Sequence, residues 1–206
     1  RRLQPIGVPG ELYIAGDGSA GFSVAKFDAS GRPVASFGDG GRATVSFGDD
    51  SDDIANGVAL DAAGNVYLAG TSNARQSNNN DMAVAKFDAN GRLATAFGDA
   101  GHTFIDFRSG TQETAAGILA RPDGLFVVGS SNSEFPPNQP NFAVAKLDYA
   151  GHLDANFGDG GKALVDADPQ GPGPDRGSNY GTAIAADTRG NLYVAGVVHA
   201  TAPPGF

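Results

Sequence analysis

The chain repeats itself at an interval of 60 residues, and no other feature of the sequence constrains its fold as tightly. The segment FSVAKFDASG at 22–31 returns as MAVAKFDANG at 82–91 and as FAVAKLDYAG at 142–151, which sets Lys26, Lys86 and Lys146 60 residues apart. Six residues past each closing glycine comes F-G-D-x-G, at 37–41, 97–101 and 157–161. Another signature, ELYIAG at 11–16, returns as NVYLAG at 65–70, LFVVG at 125–129 and NLYVAG at 191–196. A period of this length means one supersecondary unit stacked on copies of itself, each burying a face that it cannot bury alone.

Each unit reads as four short strands. In the second cycle they are 57–61 (type d), 65–69 (type a), 82–88 (type b) and 102–107 (type c), all rich in β-branched or aromatic residues and punctuated by Gly, Asn and Asp. Asp61-x-x-Gly64, Asp88-x-x-Gly91, Asp148-x-x-Gly151 and Asp187-x-x-Gly190 suit a type I turn closed by a left-handed glycine. Composition agrees: 31 Gly, 12 Pro and 20 Asp against 3 Glu favour turns over helix, and no window carries helical apolar periodicity. The type a strand is apolar at Val66, Tyr67, Leu68 and Ala69 in succession, so both its faces are expected to be buried and it is placed innermost. A β-solenoid uses shorter coils and has no need of four distinct strands per unit. The expected fold is therefore all-β, a β-propeller of ~60-residue four-stranded antiparallel blades. About 3.3 blades are present, in a single array with units at roughly 1–56, 57–116, 117–182 and a partial 183–206. Closed rings need about four to eight blades, so an incomplete ring or a fragment is expected, completed by further blades or another subunit.

The succession F-x-V-A-K-[FL]-D-x-x-G, F-G-D-x-G and then G-x-x-x-x-D-x-x-G-x-x-Y-[VIL]-A-G resembles the delta-60 repeat, a β-propeller repeat of bacterial surface and secreted proteins. The resemblance spans essentially the whole chain and implies a propeller and an extracytoplasmic location, secreted, cell-surface or periplasmic. It supplies no catalytic residues. The third unit departs from it in having Val128, not Ala, before Gly129.

Charge and composition narrow the function. A formal charge of −9 argues against a nucleic-acid partner, because phosphate backbones demand a basic face. The absence of cysteine excludes disulfides, thiolate metal sites and cysteine nucleophiles. No apolar run reaches the ~20 residues of a membrane-spanning helix.

Repetition also weighs the candidate residues. Asp39, Asp99 and Asp159 recur in every F-G-D-x-G and read as turn formers rather than a carboxylate ring. Lys26, Lys86 and Lys146 read as stems packed along the blade with the amine outside. His102 and His152 occupy slots where sister repeats carry Arg or Lys, which reads as solvated basic positions, and His199 has no counterpart. No catalytic set is assigned. The unrepeated acidic run Asp49, Asp50, Asp52 and Asp53 reads first as a solvated loop and second as a calcium site. The a–b connections (17–21, 71–81, 130–141) and c–d connections (48–53, 166–180) vary between repeats, whereas the d–a and b–c connections do not. Variation is thus gathered on one rim, where Asn78, Asn79, Asp81, Phe135 and Tyr180 are the candidate contacts for a protein or glycan. The leading expectation is a non-enzymatic binding module. The alternative is a propeller-type hydrolase or lyase with acids at the central channel, and unrepeated acids converging from several blades would favour it.

Overall fold

The computed structural model describes residues 3–4, 10–18, 21–49, 51–76, 79–108, 110–133, 139–165 and 179–198. Its strands fall into four antiparallel sheets that follow the repeat. The first sheet holds β1 (Leu3–Gln4), β2 (Leu12–Gly18), β3 (Gly21–Phe27) and β4 (Arg42–Val45). The second holds β5 (Asp53–Leu60), β6 (Val66–Gln76), β7 (Asn79–Phe87) and β8 (His102–Ile105). The third holds β9 (Glu113–Arg121), β10 (Gly124–Ser133), β11 (Gln139–Leu147) and β12 (Lys162–Val165), and the last pairs β13 (Asn179–Ala186) with β14 (Leu192–Val198). Sheet order equals chain order, d-a-b-c. The fold is all-β, an open array of propeller blades with no helix among the described residues.

Two expectations change. The innermost strand is d, not a. In d-a-b-c order only d and c are edges, and β5, β9 and β13 lie side by side across successive blades. Their small residues allow this: a Cβ on Gly57 would come within 3.0 Å of the Gly117 backbone, and Asn56 Nδ2 donates to Ala115 O of the next blade at 2.9 Å. Two-faced apolarity in the a strand marks the middle of a blade rather than its axis, and Val66, Tyr67, Leu68 and Ala69 are fully enclosed. The second change concerns residues 71–76 and 79–81, which extend the two strands rather than form a loop, since Thr71 pairs with Met82, Ser72 with Asp81 and Gln76 with Asn79.

Blades are joined by a turn-on-turn contact. The D-x-x-G turns form as expected: each Asp carboxylate accepts the N–H groups two and four residues on, and the glycines lie at positive φ. The F-G-D-x-G turn of one blade then docks on the D-x-x-G turn of the next. Gly38 N–H donates to Asn90 O and Gly98 N–H to Ala150 O, both at 2.7 Å. Phe37 and Phe97 are buried beneath these contacts, and Asp39 and Asp99 close their turns through main-chain bonds with residues 42 and 102.

The repeated lysines are not simply solvated. Lys26, Lys86 and Lys146 place Nζ 5.3–5.4 Å from the rings of Tyr13, Tyr67 and Phe126 of the neighbouring a strand. Lys26 also pairs with Glu11 at 3.0 Å, and Lys146 with Asp154 at 2.9 Å and Asp123 at 3.3 Å. Nor is His102 solvated. It is half-buried, edge-on to Phe47 and Phe104, and burial lowers its pKa. His152 does stand in solvent, beside Asp148 at 3.3 Å, and His199 lies outside the described residues.

The docking contact can be tested with a matched pair of glycines. Gly31 (φ +77°) has open space where a Cβ would go, whereas a Cβ on Gly91 (φ +78°) would lie 2.6 Å from Gly38 N. Gly31→Ala is expected to cost about 1–2 kcal/mol from backbone strain alone. Gly91→Ala is expected to cost at least about twice as much, because it also parts two blades. Denaturant midpoints of the two variants check this, and equal losses would mean that the contact contributes nothing.

Candidate functional site

The antiparallel alternation puts the a–b hairpin tips and the c–d connections at the same end of every blade. Between the first and second blades this rim holds a cleft of about 840 Å³ lined by Asp17, Ser46, Asp49, Ser51, Asp52 and Asn80, with Ile54 and Thr71. Asp49 and Asp52 are exposed on its wall. Asp53, 7% exposed, accepts Ser51 Oγ at 2.7 Å, and Asn73 Oδ1 holds Asp52 N–H at 2.8 Å. Asp50 lies outside the described residues. Of the rim candidates, Tyr180 is 41% exposed on β13, while Asn79 and Asp81 are buried on β7. Asn78 and Phe135 lie outside the described residues.

One group of three ligand-bearing side chains converges among the described residues, and it is not the acidic run. Asp81 on β7, Asp106 just past β8 and Glu113 at the start of β9 bring one carboxylate oxygen each within 4.8 Å of one another, between the second and third blades. Glu113 is wholly enclosed. Its Oε1 accepts Thr111 Oγ1 at 2.5 Å and Ser131 Oγ at 2.8 Å, and its Oε2 has no partner. Asp106 Oδ1 is likewise buried without a partner. Arg75, half-exposed, reaches Asp81 at 3.5 Å. Lys162 of the third blade grips the Asp106 and Phe107 main-chain carbonyls, at 2.9 and 3.4 Å, and so fixes the connection that carries Asp106.

The electrostatics follow from enclosure. Burial pushes the Glu113 carboxyl up to about 7, aided by the charges of Asp106 and Asp81 and opposed by the two hydroxyl donors. Burial likewise raises Asp81, with Arg75 pulling the other way.

Sequence reasoning selected Asp81 and missed Asp106 and Glu113. Sister repeats place Gly21 and Asn141 opposite Asp81, Ser46 and Asp166 opposite Asp106, and Asp53 and Asn179 opposite Glu113. Acids therefore meet at all three positions only here among the described interfaces. Alignment of the repeats holds that signal, but Glu113 comes from the following blade, so blade-on-blade packing is needed to read it.

Among known proteins, a family model described as a beta-propeller repeat matches residues 45–75, from the end of β4 through β6. This is consistent with the delta-60-type repeat that the motifs resemble. A comparison with curated proteins gives no match. No helix of the described residues is long and apolar enough to cross a membrane.

The raised carboxyl predicts a pH dependence. A glutamate whose folded pKa lies above its unfolded 4.5 takes up protons on folding between 4.5 and about 7. Stability contributed by that uptake is complete at the acid end and is lost as pH rises through the window. The expected decline is about 3 kcal/mol. Asp28, Asp61, Asp148 and Asp187, all held below the ordinary aspartate range, act at lower pH, while the raised Asp81 adds to the decline and the lowered His102 opposes it. Denaturation curves in chelator-containing buffer across this window check the decline, and Glu113→Gln is expected to flatten it.

Proposed function

We propose that the chain is a non-enzymatic, extracytoplasmic propeller module whose a–b and c–d rim receives a hydroxyl-rich glycan. The observation that carries this reading is the rim cleft between the first two blades, walled by carboxylates, hydroxyls and an amide with a single large aliphatic residue, Ile54. Such a lining matches sugar hydroxyls, which both donate and accept, better than an apolar peptide anchor. A protein is the alternative occupant, and Tyr180 on the same rim is the residue that favours it. The extracytoplasmic location rests on the resemblance to repeats of surface and secreted proteins.

The hydrolase or lyase reading asks for paired acids at the central channel. The cavity between the d strands, about 450 Å³, is lined by Asp17 with Asn56, Thr114, Ala116 and Thr182, so one carboxylate faces it among the described residues. Acids peculiar to one repeat do converge, at Asp81, Asp106 and Glu113, but between two blades and with Glu113 sealed from any substrate. This arrangement supports binding over catalysis.

The last sheet presents an apolar face. Tyr193 on β14 is 55% exposed, whereas its counterparts Tyr13 and Tyr67 are 2% and 0% exposed. Val194, Val197 and Val198 stand out beside it. A further blade or another subunit laid on this sheet would bury them as β9 buries the second sheet.

Two measurements check the proposal. Screened against a glycan array, the chain is expected to retain a defined set of sugars, and Asp52→Ala or Asn80→Ala to weaken binding at least ~10-fold. Arg92→Ala on the opposite rim is expected to leave binding unchanged, and undiminished binding by both rim variants would overturn the assignment. Mass measured in solution is expected to show self-association that Tyr193→Ser with Val197→Ser reduces. A wild-type monomer at all concentrations would show that this sheet needs no partner.

A further inference from the structure

We propose that Asp81, Asp106 and Glu113 form a binding site for a divalent, oxygen-preferring cation of the calcium class that fastens the second blade to the third. Three carboxylates here come from two blades and bring their oxygens within 4.8 Å of one another, the spacing of ligands around a common ion. Proximity alone would be an acidic cluster. The independent observation is Glu113: its side chain is wholly enclosed, two hydroxyl donors bond Oε1, and Oε2 is buried with no hydrogen-bond partner. Asp106 Oδ1 is buried and unpartnered in the same way. A buried acceptor without a donor is costly, and two in one cluster ask for a ligand that carries positive charge.

The protein's own cations do not meet that need. Arg75 reaches Asp81 alone, at 3.5 Å from a half-exposed position, and Lys162 is spent on main-chain carbonyls. The donor set is all oxygen, without histidine or cysteine, which selects calcium over zinc. One oxygen from each carboxylate supplies three of the six to eight that calcium takes, and water supplies the rest. Asp106, half-buried on the rim connection, is the side from which an ion enters. The preceding interface presents Gly21, Ser46 and Asp53 at these positions, a single carboxylate that bonds Ser51 through Oδ2 and leaves Oδ1 without a partner, so three acids converge at one interface and not throughout the repeat.

The test uses the full chain stripped of metal and melted in EDTA, in 1 mM calcium chloride and in 1 mM magnesium chloride. Calcium is expected to raise Tm by about 5 °C or more, and magnesium by much less. Glu113→Gln and Asp106→Asn are each expected to abolish the calcium response, while Asp49→Asn with Asp52→Asn leaves it intact. Hydrogen exchange on the wild-type chain reads the same site without a variant, through calcium-dependent protection of residues 79–81 and 106–113. Identical melting in calcium and EDTA would overturn the proposal. So would a response that survives Glu113→Gln, or protection confined to residues 48–53.

Discussion

The array depends on a contact between two turns that contains almost no side chain. A glycine amide of the F-G-D-x-G turn reaches a carbonyl of the next blade's D-x-x-G turn at 2.7 Å, at Gly38 with Asn90 and at Gly98 with Ala150. Backbones approach this closely only where no Cβ intervenes, and a Cβ on Gly91 or Gly151 would fall 2.6 or 2.8 Å from the docking amide. Because each turn is fixed within its own blade, the D-x-x-G turn by carboxylate-to-amide bonds and the F-G-D-x-G turn by main-chain bonds, the contact transmits one blade's orientation to the next. It also explains the rigid b–c spacing. Inserting a residue between residues 31 and 37 would carry the second turn away from its neighbour.

Under that contact lies a second repeated device. The b-strand lysine sets its ammonium over the aromatic ring of the adjacent a strand while its stem covers the apolar face. Partly desolvated, such an arrangement contributes about 1–2 kcal/mol per blade, more than an exposed ion pair would. The anion that completes it differs by blade: Glu11 in the first, and Asp123 with Asp154 in the third, while in the second Lys86 turns to the Tyr149 carbonyl at 3.3 Å. The geometry repeats even though the counter-ion does not.

This separates what was legible in the sequence from what was not. Strand count, antiparallel order and the D-x-x-G turns follow from local chemistry, which every repeat states again, and the beta-propeller repeat match at 45–75 agrees. The placing of the a strand at the axis failed because burial on both faces is shared by any strand inside a stacked blade. The d strand lies there because Gly57, where an added Cβ would come 3.0 Å from the Gly117 Cα, lets neighbouring backbones approach, a property of pairs of blades. The polar segment 71–81 looked like a loop because its residues are hydrophilic, yet strand pairing continues to Gln76 and Asn79. Asp81 was picked for a rim position and Glu113 was passed over, although both belong to one cluster.

Repetition itself explains why that cluster carries meaning. A repeat can evolve by copying, so a residue shared by all units speaks first to the fold, as Asp39 and Asp99 do in their exposed turns. A buried charge is different, since enclosing Glu113 costs stability whenever nothing compensates it. Its sister positions hold a shorter carboxylate, Asp53, which bonds Ser51 through one oxygen, and a neutral amide, Asn179. Only the second interface adds Asp81 and Asp106 to a glutamate that already lacks a donor for one oxygen. Three such changes each make the empty interface worse and together make a cation's surroundings better, so the arrangement is intelligible as a unit and not residue by residue. The scaffold supplies identical blades; what distinguishes one interface from the next is the set of polar residues that its neighbours leave out.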